Sequence, residues 1–347
     1  MNKISISNFR IHKNSRPFII AEISSNHKWS LKHTLKLIKK IKEAGADAVK
    51  IQTYDEKNMT FNSKKGEFIV KEGLWKNYSL HELYKSAKTP LNWHKKIFNY
   101  ARKLNLIAFS TPFDEKSADF LTKLKVPAYK IASFEIIDHP LIEHIAKKQK
   151  TIILSTGMAT IEEINDAVKI IKKFKNNRIV LLHCISNYPS KNKDYNLKMM
   201  TKLKERFNLH IGLSDHSKGN EVALAATALG AKVIEKHVKL DGDNSSQDSK
   251  FSMDTKKFKK FCENINNIWE TLGSDNFNLR NDKLSRKLRR SIYVVKDIKK
   301  NGLINKDNIK KIRPANGLHP KYFFKILGKK VKKDIVAGTP MKINYVK

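Results

Sequence analysis

The sequence predicts an α/β fold, a (β/α)8 TIM barrel followed by a small β-rich domain, and three observations carry that expectation. Between residues 18 and 239 a short apolar, β-branched run recurs eight times, each ending abruptly in polar residue types. Most runs are separated by a stretch of helical periodicity, such as HTLKLIKKIKEAGA or IEEINDAVKIIKKF. Beyond the last run the pattern changes to short apolar pieces punctuated by Gly302, Pro314, Gly317, Pro320, Gly328, Gly338 and Pro340. Alternating strand and helix signals mean parallel strands joined by crossover helices, and eight such units are what a closed barrel needs.

In chain order, residues 1–16, with KISISNFRI, read as a short strand or hairpin leading into the barrel. The barrel spans 17–273, and its strand runs are FIIAEIS, AVKIQTY, IAFSTPF, AYKIAS, TIILSTG, IVLLHCI, HIGLSDH and VIEKHVK. Its last helix, DTKKFKKFCENINNIWETLG, stops at Gly273, a residue type that ends helices. A polar linker, SDNFNLRNDKLSRKLR, occupies 274–289, and residues 290–347 form the second domain, of a size at which domains are marginal alone.

Composition narrows the function classes. A chain of 347 residues with 40% hydrophobic content can hold one large barrel and a small extra domain. Residues 1–16 contain no continuous apolar segment and no stretch approaches the length of a membrane span, so secretion and membrane insertion are unsupported. The two cysteines, Cys184 and Cys262, lie far apart and form no CxxC pair, which fits a reducing cytoplasm with both thiols as packing residues. The net charge of +37 raises nucleic-acid binding as a reading. Lysines are nevertheless spread along nearly every helix and loop, with no zinc-knuckle or RNP signature, so the charge reads as solvated helix faces. A field of this sign still attracts an anionic substrate.

In a barrel the active site lies at the strand C-termini, so the residues that end the runs are those to read for function. Side chains alternate along a strand, hence Ser214 and His216 share a face of the seventh run, and Glu235 and His237 one of the eighth. Closure makes the first run the other neighbour of the eighth, which sets Glu22 beside His237. Two imidazoles on adjacent strands with a carboxylate next to them can hold one divalent ion, leaving positions open for water and substrate. Lys50 and Gln52 share a face of the second run, Lys130 ends the fourth, and Thr111, Ser133, Ser155 and Ser214 put hydroxyls near the same rim. Two ammonium groups among short hydroxyl donors suit a phosphate or a phosphorylated carboxylate. A competing reading makes Lys50, Lys130 or Lys236 the Schiff-base nucleophile of a metal-free aldolase.

Taken together, AEISSNH (21–27), KIQTY (50–54), STPFD (110–114), YKIAS (129–133), STGMA (155–159), LLHC with YP (181–189), GLSDHS (212–217) and EKHVKLD (235–241) resemble the sialic acid synthase family. The likeness continues through RRSIYVVKDI, IRPANGLHPKY and the closing GTP, so it covers nearly the whole chain. IASFEIIDHPLI, the segment Thr89 to His94, QDSKFSMD and RPANGLHPKY are most similar to the branch that makes pseudaminic acid. Three features depart from other relatives: Ser249 after Asp248, Ser186 where many carry Asn, and Lys28 and Trp29 where a Gly-containing turn is common.

The resemblance implies a phosphoenolpyruvate-condensing TIM barrel with a C-terminal antifreeze-like (SAF) domain. It implies that His216 and His237 bind a divalent metal, Mn2+ foremost with Mg2+ or Co2+ as alternatives, and that Glu22 holds a metal-bound water or the sugar. Lys50, Thr111, Lys130, Ser133, Ser155, Ser186 and Ser214 would bind phosphoenolpyruvate. Gln52, Tyr188 and Asp248 would contact the amino sugar, and Arg313 its N-acyl group from the neighbouring subunit of a domain-swapped homodimer. The implied reaction joins phosphoenolpyruvate to 2,4-diacetamido-2,4,6-trideoxy-L-altrose. Its rivals are the same chemistry on the sugars that lead to N-acetylneuraminic or legionaminic acid, the Schiff-base aldolase, and a non-enzymatic polyanion binder.

Overall fold

The eight runs form the parallel barrel strands, β3 (Phe18–Glu22), β4 (Ala48–Thr53), β5 (Ile107–Pro112), β6 (Ala128–Ile131), β7 (Thr151–Ser155), β8 (Ile179–Cys184), β9 (His210–Asp215) and β10 (Val233–Lys239). They are preceded by an antiparallel hairpin, β1 (Ile4–Ile6) and β2 (Phe9–Ile11). The computed structural model describes residues 2–273 and 282–347, in two units, Met1–Gly273 and Ser274–Lys347. The first part of the expected linker, 274–281, lies outside the described residues.

β10 pairs with both β9 and β3, which closes the barrel and brings Glu22 opposite His237. One element had no sequence signal. The two-residue strand β11 (Met253–Asp254) adds in parallel to the end of β10 and is too short to show any periodicity. The barrel strands are buried on both faces, as expected where helices cover the outside and side chains fill the lumen.

The helices of the first unit are α1 (Leu31–Glu43), α2 (Glu56–Met59), α3 (Leu80–Ala87), α4 (Leu91–Lys103), α5 (Glu115–Lys123), α6 (His139–Lys147), α7 (Ile161–Lys173), α8 (Lys198–Phe207), α9 (Glu221–Ala228) and α10 (Thr255–Leu272). The sequence of α7 explains its form. Ile164, Ala167, Val168 and Ile171 make one buried stripe, Thr160 and Glu163 close a capping box, and Lys172 and Lys173 sit at the negative end of the dipole. Gly273 ends α10 with φ +55°, a region glycine enters without strain. Lys28 and Trp29 hold φ of +52° and +51°, which is why this turn suits glycine. Here His27 Nδ1 accepts the Trp29 N–H (3.1 Å) and the indole donates to the Ser86 carbonyl (2.7 Å), holding the turn without one.

The second unit has its own core, in which Ile292, Val294, Ile309, Val331 and Met341 are buried. After α11 (Lys283–Lys287), β12 (Ser291–Val294) pairs antiparallel with β13 (Ile309–Ile312), and a single-turn helix, α12 (Phe323–Ile326), follows. Isolated bridges such as Ile298 to Ile335 and Val331 to Val346 join the remaining pieces. Its frequent Gly and Pro residues keep those pieces short. Among the described residues no helix is long and apolar enough to cross a membrane.

Candidate active site

The C-terminal ends of the barrel strands gather the expected residues on their inner faces. Alternation from Ser214 brings His216 inward, and from Glu235 brings His237 inward, with their ring centroids 5.5 Å apart. His216 commits Nδ1 to the Ile185 carbonyl (2.8 Å), so that nitrogen carries the proton and Nε2 keeps its lone pair. His237 Nδ1 is buried and has no hydrogen-bond partner. Burial pulls both imidazoles below their ordinary pKa, His237 furthest because His216, Lys50, Lys236 and Lys130 add positive potential. Both rings are therefore neutral, the form that binds a metal.

Glu22 sits on the strand beside His237, as barrel closure requires. It lies opposite both His237 and Lys50 in register, but its side chain forms an ion pair with Lys50 and accepts the Ser24 N–H (2.6 Å). A charged lysine on the adjacent strand outbids a neutral imidazole for a buried carboxylate. Among the described residues no three His, Cys, Asp or Glu side chains are gathered as a metal cage. The two imidazoles still fit a divalent ion that completes its coordination with water and substrate: His237 Nδ1 has no hydrogen-bond partner, and His216 Nε2 meets only the Ser214 hydroxyl at 3.4 Å, whose proton goes to Glu235. Burial and Glu235 lift Glu22 to about 7 against the opposing charge of Lys50.

The cation and hydroxyl side is equally built. Lys50 donates to Thr111 Oγ1 (3.1 Å) and lies 3.6 Å from Glu235 Oε1. Lys130 donates to Ser155 Oγ (2.6 Å) and to the Ile131 carbonyl (3.1 Å), and has no carboxylate in salt-bridge contact among the described residues. Burial lowers its pKa. Ser133 Oγ accepts the Gly157 N–H (3.2 Å) and sits 3.0 Å from Cys184 Sγ, while Ser186 Oγ is buried without a partner. A Cβ on Gly157 would lie 2.5 Å from Ser186 Oγ, 2.7 Å from Cys184 Sγ and 2.9 Å from Ser133 Oγ, so these groups converge on one backbone cradle. Ser214 instead donates to Glu235 Oε1 (3.0 Å).

Beside the imidazoles, the Tyr188 ring packs on His216 at 4.5 Å and on Phe251 at 5.0 Å, and Phe251 packs on His237 at 4.9 Å. Asp248 accepts the Ser25 N–H (3.1 Å) and returns its own N–H to Ser25 Oγ (3.1 Å), which ties the segment after β10 to the AEISSNH turn. Gln52 is half-buried opposite Thr111 in register. Arg313 belongs to the second unit, directly after β13, and is exposed there.

Sequence reasoning left out several members of this site. Alternation places Glu235 on the face of His237 but gives it no role. Lys50 and Lys130 hold its carboxylate below the ordinary range. Glu135 lies in the 3-10 turn Ser133–Ile137, where no periodicity marks a face, and burial lifts it to about 7 against the pull of Lys130. Cys184, read as a packing residue, touches Ser133. Lys236, one of three lysines considered for Schiff-base chemistry, points out of the barrel and is paired with Asp215 (2.8 Å), so it cannot meet a substrate in the lumen.

Two family models and several known proteins match this chain. The NeuB family model matches residues 37–277 and the SAF domain model residues 289–344. The chain is 46% identical over 340 residues to a pseudaminic acid synthase of Campylobacter jejuni, covering 98% of each. It is 38% identical to an N,N'-diacetyllegionaminic acid synthase of the same organism, covering 90% of this chain and 95% of that one. Among solved structures it is similar to an N-acetylneuraminic acid synthetase from Leptospira borgpetersenii in complex with citrate. The TM-score is 0.74 at 32% identity, covering 82% of this chain and 94% of the other.

Proposed function

This chain belongs to the NeuB family, and from that premise we propose that it is a pseudaminic acid synthase, a transferase condensing phosphoenolpyruvate with the open-chain form of 2,4-diacetamido-2,4,6-trideoxy-L-altrose. The near full-length likeness to the Campylobacter jejuni enzyme supports that sugar over its rivals. The observation that carries the chemistry is the meeting of a neutral imidazole pair with a cation-and-hydroxyl cradle at one barrel rim.

His216 and His237 would hold the divalent ion, Mn2+ foremost, which when bound supplies Lewis-acid polarisation of the sugar aldehyde. Lys130, Ser155 and Ser133, with Ser186 and Thr111, would grip phosphoenolpyruvate and neutralise its phosphate. Lys50 orders the carboxylates Glu22 and Glu235 as much as it faces the substrate, and Ser214 fixes Glu235. Carbon three of phosphoenolpyruvate attacks the aldehyde carbon, the new carbon–carbon bond forms, and the aldehyde oxygen takes a proton. Water adds at carbon two and loses both its protons, one balancing the new hydroxyl and one leaving with phosphate, which departs with the bridging oxygen as carbon two becomes the ketone. Glu135 and Glu22, whose pKa burial raises toward neutrality, would be the carboxyls to give and take these protons.

Tyr188, Gln52 and Asp248 would line the sugar side, and Arg313 of the partner subunit would reach its N-acyl group in a domain-swapped homodimer. The test is phosphate release after exhaustive chelation and after Mn2+ is restored. The reading expects no turnover without metal and recovery with it. Full phosphate release in the chelated enzyme would contradict the metal dependence, and a pyruvyl adduct trapped on Lys50 or Lys130 by borohydride in the presence of pyruvate would replace the reading with the aldolase.

A further inference from the structure

Behind the two imidazoles lies a second charged cluster that the chemistry above does not use. Asp215 and Lys236 each precede a candidate metal ligand by one residue and are register partners on β9 and β10. Alternation turns both away from the lumen, where Lys236 Nζ lies 5.9 Å from the Phe261 ring of α10. Their exposures are 1% and 0%. Lys236 Nζ donates to Asp215 Oδ2 (2.8 Å), to the Ser217 carbonyl and to the Gly219 carbonyl (3.1 Å), which uses all three ammonium protons. Asp215 Oδ1 accepts from the Tyr195 hydroxyl (3.0 Å) and the Ser217 N–H (2.9 Å). The Tyr195 hydroxyl in turn accepts the backbone N–H of His216 (2.7 Å), and His183 Nε2 meets the Tyr195 carbonyl (2.5 Å). The loop that carries His216 is thus fastened to β10 on one side and to the segment after β8 on the other.

A buried ion pair costs desolvation, and apolar side chains of the same size often stabilise such a place as well, so stability alone does not account for this one. We propose that Asp215, Lys236 and Tyr195 are positioning residues that fix the spacing and aim of His216 and His237 from outside the barrel, as outer-shell groups do at metal sites. The proposal rests on the reading that the two histidines hold a divalent ion.

The test is Mn2+ binding to the full, metal-stripped chain, followed by the electron paramagnetic resonance signal of free Mn2+. Tyr195→Phe removes one hydroxyl and keeps the ring. Its Kd for Mn2+ is expected to rise about tenfold, while phosphoenolpyruvate affinity of the metal-free protein, measured by calorimetry, stays at the wild-type value. The double variant Asp215→Leu with Lys236→Met, which exchanges the pair for apolar side chains, is expected to lose Mn2+ affinity likewise. If it does not fold, Tyr195→Phe decides. A lowered melting midpoint of metal-free Tyr195→Phe with wild-type Mn2+ affinity would mean a structural role only and overturn the proposal. A wild-type protein that binds no Mn2+ would overturn the metal reading itself, and the proposal with it.

Discussion

Gly157→Ala is the substitution that probes the phosphate cradle most selectively. The added Cβ would meet Ser186 Oγ at 2.5 Å, Cys184 Sγ at 2.7 Å and Ser133 Oγ at 2.9 Å, all closer than real Cβ atoms approach. Ser133 and Cys184 are buried and cannot rotate away freely, so the hydroxyls proposed to hold the anion must turn or shift. Overpacking of this kind costs about 1–3 kcal/mol of stability, which leaves a barrel of this size folded. A hydrogen bond to a charged group is worth about 1.5–3 kcal/mol, so losing one donor to the phosphate raises the KM for phosphoenolpyruvate roughly 10- to 100-fold. Steady-state phosphate release with phosphoenolpyruvate varied at saturating sugar reads this directly, and the KM for the sugar should stay within about threefold of wild type, an allowance for non-additivity. A folded Gly157→Ala enzyme with the wild-type KM for phosphoenolpyruvate would refute the assignment of the cradle.

Three further outcomes are expected. Lys130→Met should abolish the thermal stabilisation that phosphoenolpyruvate confers while the unliganded protein still folds, because the ammonium has no carboxylate in salt-bridge contact among the described residues; a folded variant that keeps the wild-type response to ligand contradicts this. Glu135 has a folded pKa of about 7 against 4.5 unfolded, so the native state retains a proton that the unfolded chain has released, and stability falls as pH rises through that window. Glu135→Gln should escape roughly 2–3 kcal/mol of that loss, read as the difference between variant and wild-type urea stabilities at pH 5 and pH 8; parallel profiles would mean that folding does not raise the Glu135 pKa. If the homodimer is domain-swapped as proposed, mixing inactive Arg313→Ala and His237→Ala subunits should recover activity, because one site of the heterodimer would carry both wild-type residues; no recovery despite verified subunit exchange places Arg313 in its own subunit's site or outside it.

The barrel was legible because its two periodicities are unmixed, with β-branched runs ending at the rim and amphipathic stretches such as α7 between them. Adjacency of Glu22 and His237 followed from closure, and the register bears it out. What alternation could not supply was side-chain choice between neighbours. Glu22 could face an imidazole or a lysine on adjoining strands, and charge decided for Lys50. Glu135, Gly157 and Tyr195 escaped notice because they act from turns and loops, where no period ranks one residue over the next. Lys236 was the opposite case: its place in the run is plain, but its face follows only when His237 is taken as inward.

The central claim, that this barrel joins phosphoenolpyruvate to a specific amino sugar, is tested most directly by phosphate release across three acceptors with Mn2+ present. The acceptors are 2,4-diacetamido-2,4,6-trideoxy-L-altrose and the corresponding precursors of N,N'-diacetyllegionaminic and N-acetylneuraminic acid. The account predicts turnover that requires both substrates, is fastest with the altrose, and yields pseudaminic acid by mass spectrometry and nuclear magnetic resonance. Higher kcat/KM with either other sugar would contradict the choice of sugar, and no phosphate release with any of the three would contradict the reaction itself.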